Sequence, residues 1–266
     1  MNERVAILAL ALLLPSGSAL AEPAASNWAP SSKSEARLIA DGSGQAGFQI
    51  ELAPGAITYW RDPGDAGVPP TFDFSRSTNV ASAEVDFPAP TRIAESDGSE
   101  AFGYERGVVF PIRVLAADPS KAITLALDAN YAVCEKICLP ARAAVELNLP
   151  AKGVNTTYAA EIEAARAMVP RREDAGSLRI ELTALQGRNW RLCLPVASGA
   201  ARDLFVEPPT GWWLTAKSQG QESGSDCFAL ALREAPADAA FPAEVRATIT
   251  GANGAVETKL RLSPKS

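Results

Sequence analysis

The chain has 266 residues, a formal net charge of −6 and no histidine. An acidic balance of this kind gives no basic footprint for nucleic acid. Without histidine, His-based metal sites, Ser-His-Asp triads and Cys-His dyads are excluded. Met1 and Met168 are the only methionines, which excludes a Met-rich copper site and leaves the four cysteines as the soft ligands or redox groups.

Residues 1–21 read as a secretory signal peptide. Arg4 supplies the positive n-region, Val5 to Leu14 the apolar h-region, and Ala19-Leu20-Ala21 a small-x-small cleavage site. The apolar run falls short of the ~20 residues that a spanning helix needs, and no Cys follows the cleavage site. The mature chain is expected to begin near Glu22, exported and without stable membrane insertion.

Residues 22–34 are small and polar and predict a flexible leader. From Ala36 onward, short alternating runs separated by Gly, Pro, Asp and Ser predict strands at 36–39, 47–52, 57–61, 80–87, 108–114, 123–133 and 143–149. The Ala- and Glu-rich stretch 158–169 predicts a helix stopped by Pro170. A second series of strands is expected at 178–185, 190–194, 204–207, 213–217, 227–232, 244–250 and 256–262. The fold class is therefore all-β: two immunoglobulin-like β-sandwich domains, 35–150 and 177–266, joined by a short helical connector at 151–176.

An even number of cysteines in an exported chain predicts disulfides but leaves their connectivity open. Domain locality favours Cys134 with Cys138 and Cys193 with Cys227. Closing the 35-residue span between Cys193 and Cys227 removes about 3.8 kcal/mol of denatured-state entropy, against about 2 kcal/mol for the short span. An extended chain would also hold Cys134 and Cys138 about 13 Å apart, so the chain must bend sharply there to bridge them. The long bridge reads as a structural disulfide and the short one as a poor staple. In 123–134, Ile123, Leu125, Leu127, Ala129, Tyr131 and Val133 share one face, and Cys134 falls on the other, polar face. A thiol there is expected to be reachable, and exposed disulfides tend to be the labile ones. Cys193 and Cys227 are each out of phase with their apolar neighbours, which places that bridge off the main core. Cys134–Cys138 also admits a hairpin clip or, once reduced, a two-thiolate Cu(I) site.

The stretches Tyr59-Trp-Arg-Asp-Pro-Gly-Asp-Ala-Gly-Val-Pro-Pro-Thr-Phe-Asp73 and Tyr131-Ala-Val-Cys-Glu-Lys-Ile-Cys-Leu-Pro-Ala141 together resemble the N-terminal periplasmic domain of DsbD-type thiol:disulfide interchange proteins. Within that family the flavour is that of the ScsB branch, linked to copper tolerance. The resemblance covers about residues 35–150. It implies a periplasmic immunoglobulin-like domain in which Cys134 and Cys138 are the redox pair. Electrons would pass from a membrane-embedded thiol reductase to periplasmic thioredoxin-fold proteins, with no cofactor and no metal. It also implies a cap loop over the pair, for which 93–104 occupies the corresponding place, with Phe102 or Tyr104 as an aromatic lid. Two departures stand out: the insert Glu135-Lys136-Ile137 is shorter than in the better-known branch, and the sequence carries neither a membrane conduit nor a thioredoxin-like domain. A freestanding copy would need another protein as electron donor. The rivals to this reading are a Cu(I)-binding module using the same thiols and a purely structural interaction module.

Overall fold

The structure is a computed structural model that describes residues 24–65, 67–95, 98–149, 156–196 and 202–265. The expected signal peptide at 1–21 lies outside the described residues. The first series of strands is β1 (Ala29–Ser31), β2 (Ser34–Ala40), β3 (Ala46–Leu52), β4 (Ile57–Gly64), β5 (Thr71–Asp73), β6 (Val80–Val85), β7 (Thr91–Ala94), β8 (Glu100–Glu105), β9 (Gly107–Ala116), β10 (Thr124–Cys134) and β11 (Cys138–Asn148). Helix α1 (Ala159–Ala167) follows. The second series is β12 (Arg171–Arg172), β13 (Glu181–Ala184), β14 (Asn189–Pro195), β15 (Asp203–Glu207), β16 (Trp213–Glu222), β17 (Ser225–Glu234), β18 (Ala243–Gly251) and β19 (Gly254–Leu262).

Two sandwiches result. The first stacks sheet β1-β2-β3-β9-β6 on sheet β11-β10-β4-β8-β7, with β5 added alongside β10. The second stacks β12-β19-β18-β15 on β13-β14-β17-β16. Period-two alternation explains the stacking. Along β10, Leu125, Leu127, Ala129, Tyr131 and Val133 enter the first core beside Phe48, Phe110 and Trp60. Along β14 and β17, Trp190, Leu192, Leu194, Phe228 and Leu230 meet Val245, Ala247, Ile249, Leu260 and Leu262.

α1 lies against the first sandwich, where Ile162 and Ala165 are buried. Gly47 makes this possible: a Cβ there would stand 2.9 Å from Val109 Cγ1 and 3.2 Å from Ile162 Cγ1. The junction between the sandwiches is both apolar and ionic. Phe205 of β15 is buried within the first core, edge-on to Trp60 and Phe102. Arg61 of β4 pairs with Glu207 and Glu257, and Arg92 of β7 pairs with Asp203 and Glu100.

Two expectations need correction. The stretch read as a flexible leader is docked from residue 24 onward. Ala25 bridges Ile39, β1 pairs with β2, and the Arg37 guanidinium lies 4.0 Å from the Trp28 ring centroid. One aromatic side chain and a strand edge hold a segment whose composition alone reads as mobile. The stretch 93–104, read as a loop, is largely the β7–β8 hairpin, with Thr91–Ala94 paired to Glu100–Gly103. Its polar residues obscure the alternation that its pairing obeys.

Candidate functional site: a cross-strand disulfide under a tyrosine

β10 and β11 form a long antiparallel hairpin in which the last residue of one strand faces the first of the next, Cys134 opposite Cys138. The turn is Glu135-Lys136-Ile137. This hairpin is the sharp bend that the bridge requires: the two Cα atoms are 4.1 Å apart and the sulfurs are bonded. Lys33, in the β1–β2 turn, holds the hairpin tip by an exposed ion pair with Glu135 at 2.8 Å. Hydrogen bonding to Lys33, with its charge, keeps the Glu135 carboxyl below its usual range.

The cysteines differ in exposure, and not as the strand pattern predicts. Cys134 does lie on the face opposite Tyr131 and Val133, but that face is covered, and Cys134 is only 4% exposed. It belongs to a second, outer cluster with Ile57, Tyr59, Ala101 and Ala132, against which Ile93 packs. Cys138 is exposed, and so are its neighbours Ile137 and Leu139. Reachability therefore falls to the second cysteine of the pair. The alternation rule gives the face of the sheet but not what is laid over it.

The cover centres on Tyr59. β4 pairs with the end of β10 through Val133↔Thr58 and Cys134↔Ile57, so Tyr59 stands on the outer face beside Cys134 while Trp60 turns into the core. The Tyr59 hydroxyl donates to Cys134 Sγ at 2.8 Å and lies 3.3 Å from Cys138 Sγ. Burial, and secondarily the charge of Glu95, push the Tyr59 phenol above its ordinary value, so it stays a proton donor. Gly67 seals the ring from outside. Its φ is +115°, and a Cβ there would stand 2.3 Å from Tyr59 Cε1. Only glycine fits that position.

Tyr59 was missed as a site residue, although the signal was present. Two large aromatics in succession on one strand, Tyr59 and Trp60, must face opposite sides of the sheet. If Trp60 fills the core, Tyr59 needs its own cover. The suggested lids, Phe102 and Tyr104, are placed elsewhere. Both have the inward parity of β8. Phe102 packs edge-on to Phe205 at 4.9 Å, and Tyr104 packs on Phe110 and donates its hydroxyl to the Pro88 carbonyl at 2.8 Å. Full burial pushes the Tyr104 phenol well above its ordinary value. The β7–β8 hairpin does reach the site, through Ile93 and Ala101 instead.

Cys193 of β14 and Cys227 of β17 are also bonded, as direct partners on adjacent strands, with Cα atoms 4.2 Å apart. That bond lies within one sheet, not between two. No cluster of three or more metal-binding side chains occurs among the described residues, and no helix there is long and apolar enough to cross a membrane.

The arrangement can support one chemistry directly: thiol–disulfide exchange, with an accessible sulfur at Cys138, a buried one at Cys134 and a hydroxyl donor at the buried sulfur. A search of curated proteins returned no match. Among solved structures, the chain resembles the N-terminal periplasmic domain of ScsB from Proteus mirabilis. The TM-score is 0.73 at 20% identity, covering 91% of this chain and 99% of that one, which shows a shared two-sandwich fold. Residues 27–150 match the family described as thiol:disulfide interchange protein DsbD, N-terminal, a match that spans the first sandwich with its bridged cysteine pair.

Proposed function

We propose that the protein is a periplasmic thiol–disulfide oxidoreductase that carries electrons through Cys134 and Cys138. In this reading they come from a membrane-embedded thiol reductase and go to thioredoxin-fold proteins. The observation that carries the reading is the asymmetry of the bridge: an exposed Cys138 beside a Cys134 that is buried and hydrogen-bonded by Tyr59. The family of residues 27–150 and the periplasmic origin of the ScsB domain support the setting.

Loading begins when a donor thiolate attacks Cys138 Sγ. The Cys134–Cys138 bond breaks, and Cys134 leaves as a thiolate that receives the Tyr59 hydrogen bond. The donor's second thiolate then attacks the mixed disulfide, forming the donor's own disulfide and freeing Cys138; two electrons have moved to the pair. Unloading reverses the roles. The Cys138 thiolate attacks an acceptor disulfide, and Cys134 resolves the mixed disulfide.

A trapping experiment tests this. Cys134→Ser should accumulate a mixed disulfide through Cys138 when mixed with an oxidised thioredoxin-fold protein, and Cys138→Ser should not. Equal trapping by both variants, or by neither, would sink the assignment.

A further inference from the structure

We propose that Cys193–Cys227 is a second reversible redox site, able to take two electrons from a dithiol while the second sandwich stays folded. It is independent of the reading of Cys134–Cys138. The first support is register. Cys193 faces Cys227 inside a ladder that runs from Asn189↔Ala231 to Pro195↔Ser225, and β13 and β16 pair with the far edges of the same two strands. Backbone pairing alone therefore holds the cysteines opposite each other, and a broken bond leaves both sulfurs in place to re-form it. The loop-entropy benefit of the bridge acts on the unfolded chain, not on this native geometry.

The second support is likeness to the first pair. Both bridges join direct cross-strand partners, with Cα separations of 4.1 Å and 4.2 Å. Each combines one reachable and one hidden residue. Cys227 is 2% exposed and Cys193 is partly exposed, as Cys134 is hidden and Cys138 open. Exchange needs that combination, a sulfur to attack and a sulfur to leave.

The third support is what lies over the bridge. Arg191 precedes Cys193 by two residues, and Glu222 faces Ser225, which precedes Cys227 by two. Alternation puts all four side chains on the outer face of the sheet. Arg191 and Glu222 are ion-paired, so their contact crosses diagonally over the row Cys193–Cys227–Gly220. Gly220 sits at a β-bulge with φ +80°, and nothing lies within 4 Å of where its Cβ would stand. The row therefore ends in open space on the β16 side, while the guanidinium favours a thiolate beneath it.

The step balances as an ordinary exchange. A donor thiolate attacks Cys193 Sγ, the S–S bond breaks, and Cys227 leaves as a thiolate and takes a proton. The donor's second thiolate attacks the donor sulfur of the mixed disulfide and releases Cys193. The donor ends as a disulfide and the pair as two thiols.

The four cysteines fall on separate tryptic peptides, so one experiment reads both bridges. The full chain is titrated with dithiothreitol, trapped with an alkylating agent and analysed by mass spectrometry, with circular dichroism followed in parallel. The expected result is joint labelling of Cys193 and Cys227 with the strand signal and a cooperative unfolding transition retained, and reclosure by oxidised glutathione. Glu222→Gln, which removes the ion pair and keeps both cysteines, should be reduced several-fold faster. Labelling of Cys193 and Cys227 only after the strand signal is lost, in the wild-type chain and in Glu222→Gln alike, would overturn the proposal whatever Cys134 and Cys138 do.

Discussion

At the scale of single residues, the site depends on Tyr59 and on the glycine that lets it lie flat. A hydrogen bond to a charged group contributes about 1.5–3 kcal/mol, and each pKa unit corresponds to about 1.4 kcal/mol. Tyr59→Phe should therefore raise the pH midpoint for alkylation of the reduced Cys134 thiol by about one to two units, while global stability changes little. An unchanged alkylation profile would show that the hydroxyl does not act on the sulfur. Gly67→Ala places a methyl group inside the Tyr59 ring at a left-handed backbone position. It should destabilise the protein by about 1–3 kcal/mol and make Cys134 label faster in the reduced protein, read by timed alkylation. Of these residues, the sequence showed the cysteines plainly and Tyr59 only by implication, because a side chain's partner across the sheet is set by register.

At the scale of elements, β4 does two jobs along its length. Its start carries Tyr59 to the disulfide, and its end carries Arg61 and Asp62 to the second sandwich. Burial pushes the Asp62 carboxyl up to about 6 against the Gly64 N–H hydrogen bond, and the charge of Glu207 adds to the rise. A carboxyl raised in the folded state binds its proton more tightly there than in the unfolded chain. Its contribution is full below the ordinary carboxylate range and is lost as pH rises through about 6. Asp62→Asn should therefore stabilise the protein near neutral pH, by on the order of 2 kcal/mol, and change little near pH 4. Denaturant midpoints at the two pH values check this, and equal effects at both would refute it. The strand runs of β11 and β14 were legible because buried and more open residues alternate along them. β7 and β8 were not, since Arg92 and Glu100 pair with each other within the hairpin and Arg92 pairs with Asp203 beyond it, so charged residues stand where an isolated hairpin would place none.

At the scale of the whole molecule, a residue of the second sandwich is packed in the core of the first. Phe205 belongs by chain to the second and by packing to the first. Phe205→Ala should lower stability by about 3–5 kcal/mol and split a single thermal transition into two, one for each sandwich. A calorimetric scan that keeps one transition would show that the ionic contacts of Arg61 and Arg92 suffice to couple them.

The sequence by itself determined an all-β chain in two series, a helix between them, four cysteines with no histidine to assist them, and, at 59–73 and 131–141, the motifs that resemble the DsbD N-terminal family. Those features are written in period, spacing and composition, which are local. Only the tertiary structure decided which sulfur is reachable, that Tyr59 rather than Phe102 or Tyr104 covers the pair, and that the second bridge lies under an ion pair within one sheet. Each of these depends on what neighbouring strands lay across an outer face, and strand register, not the order of residues along the chain, sets that.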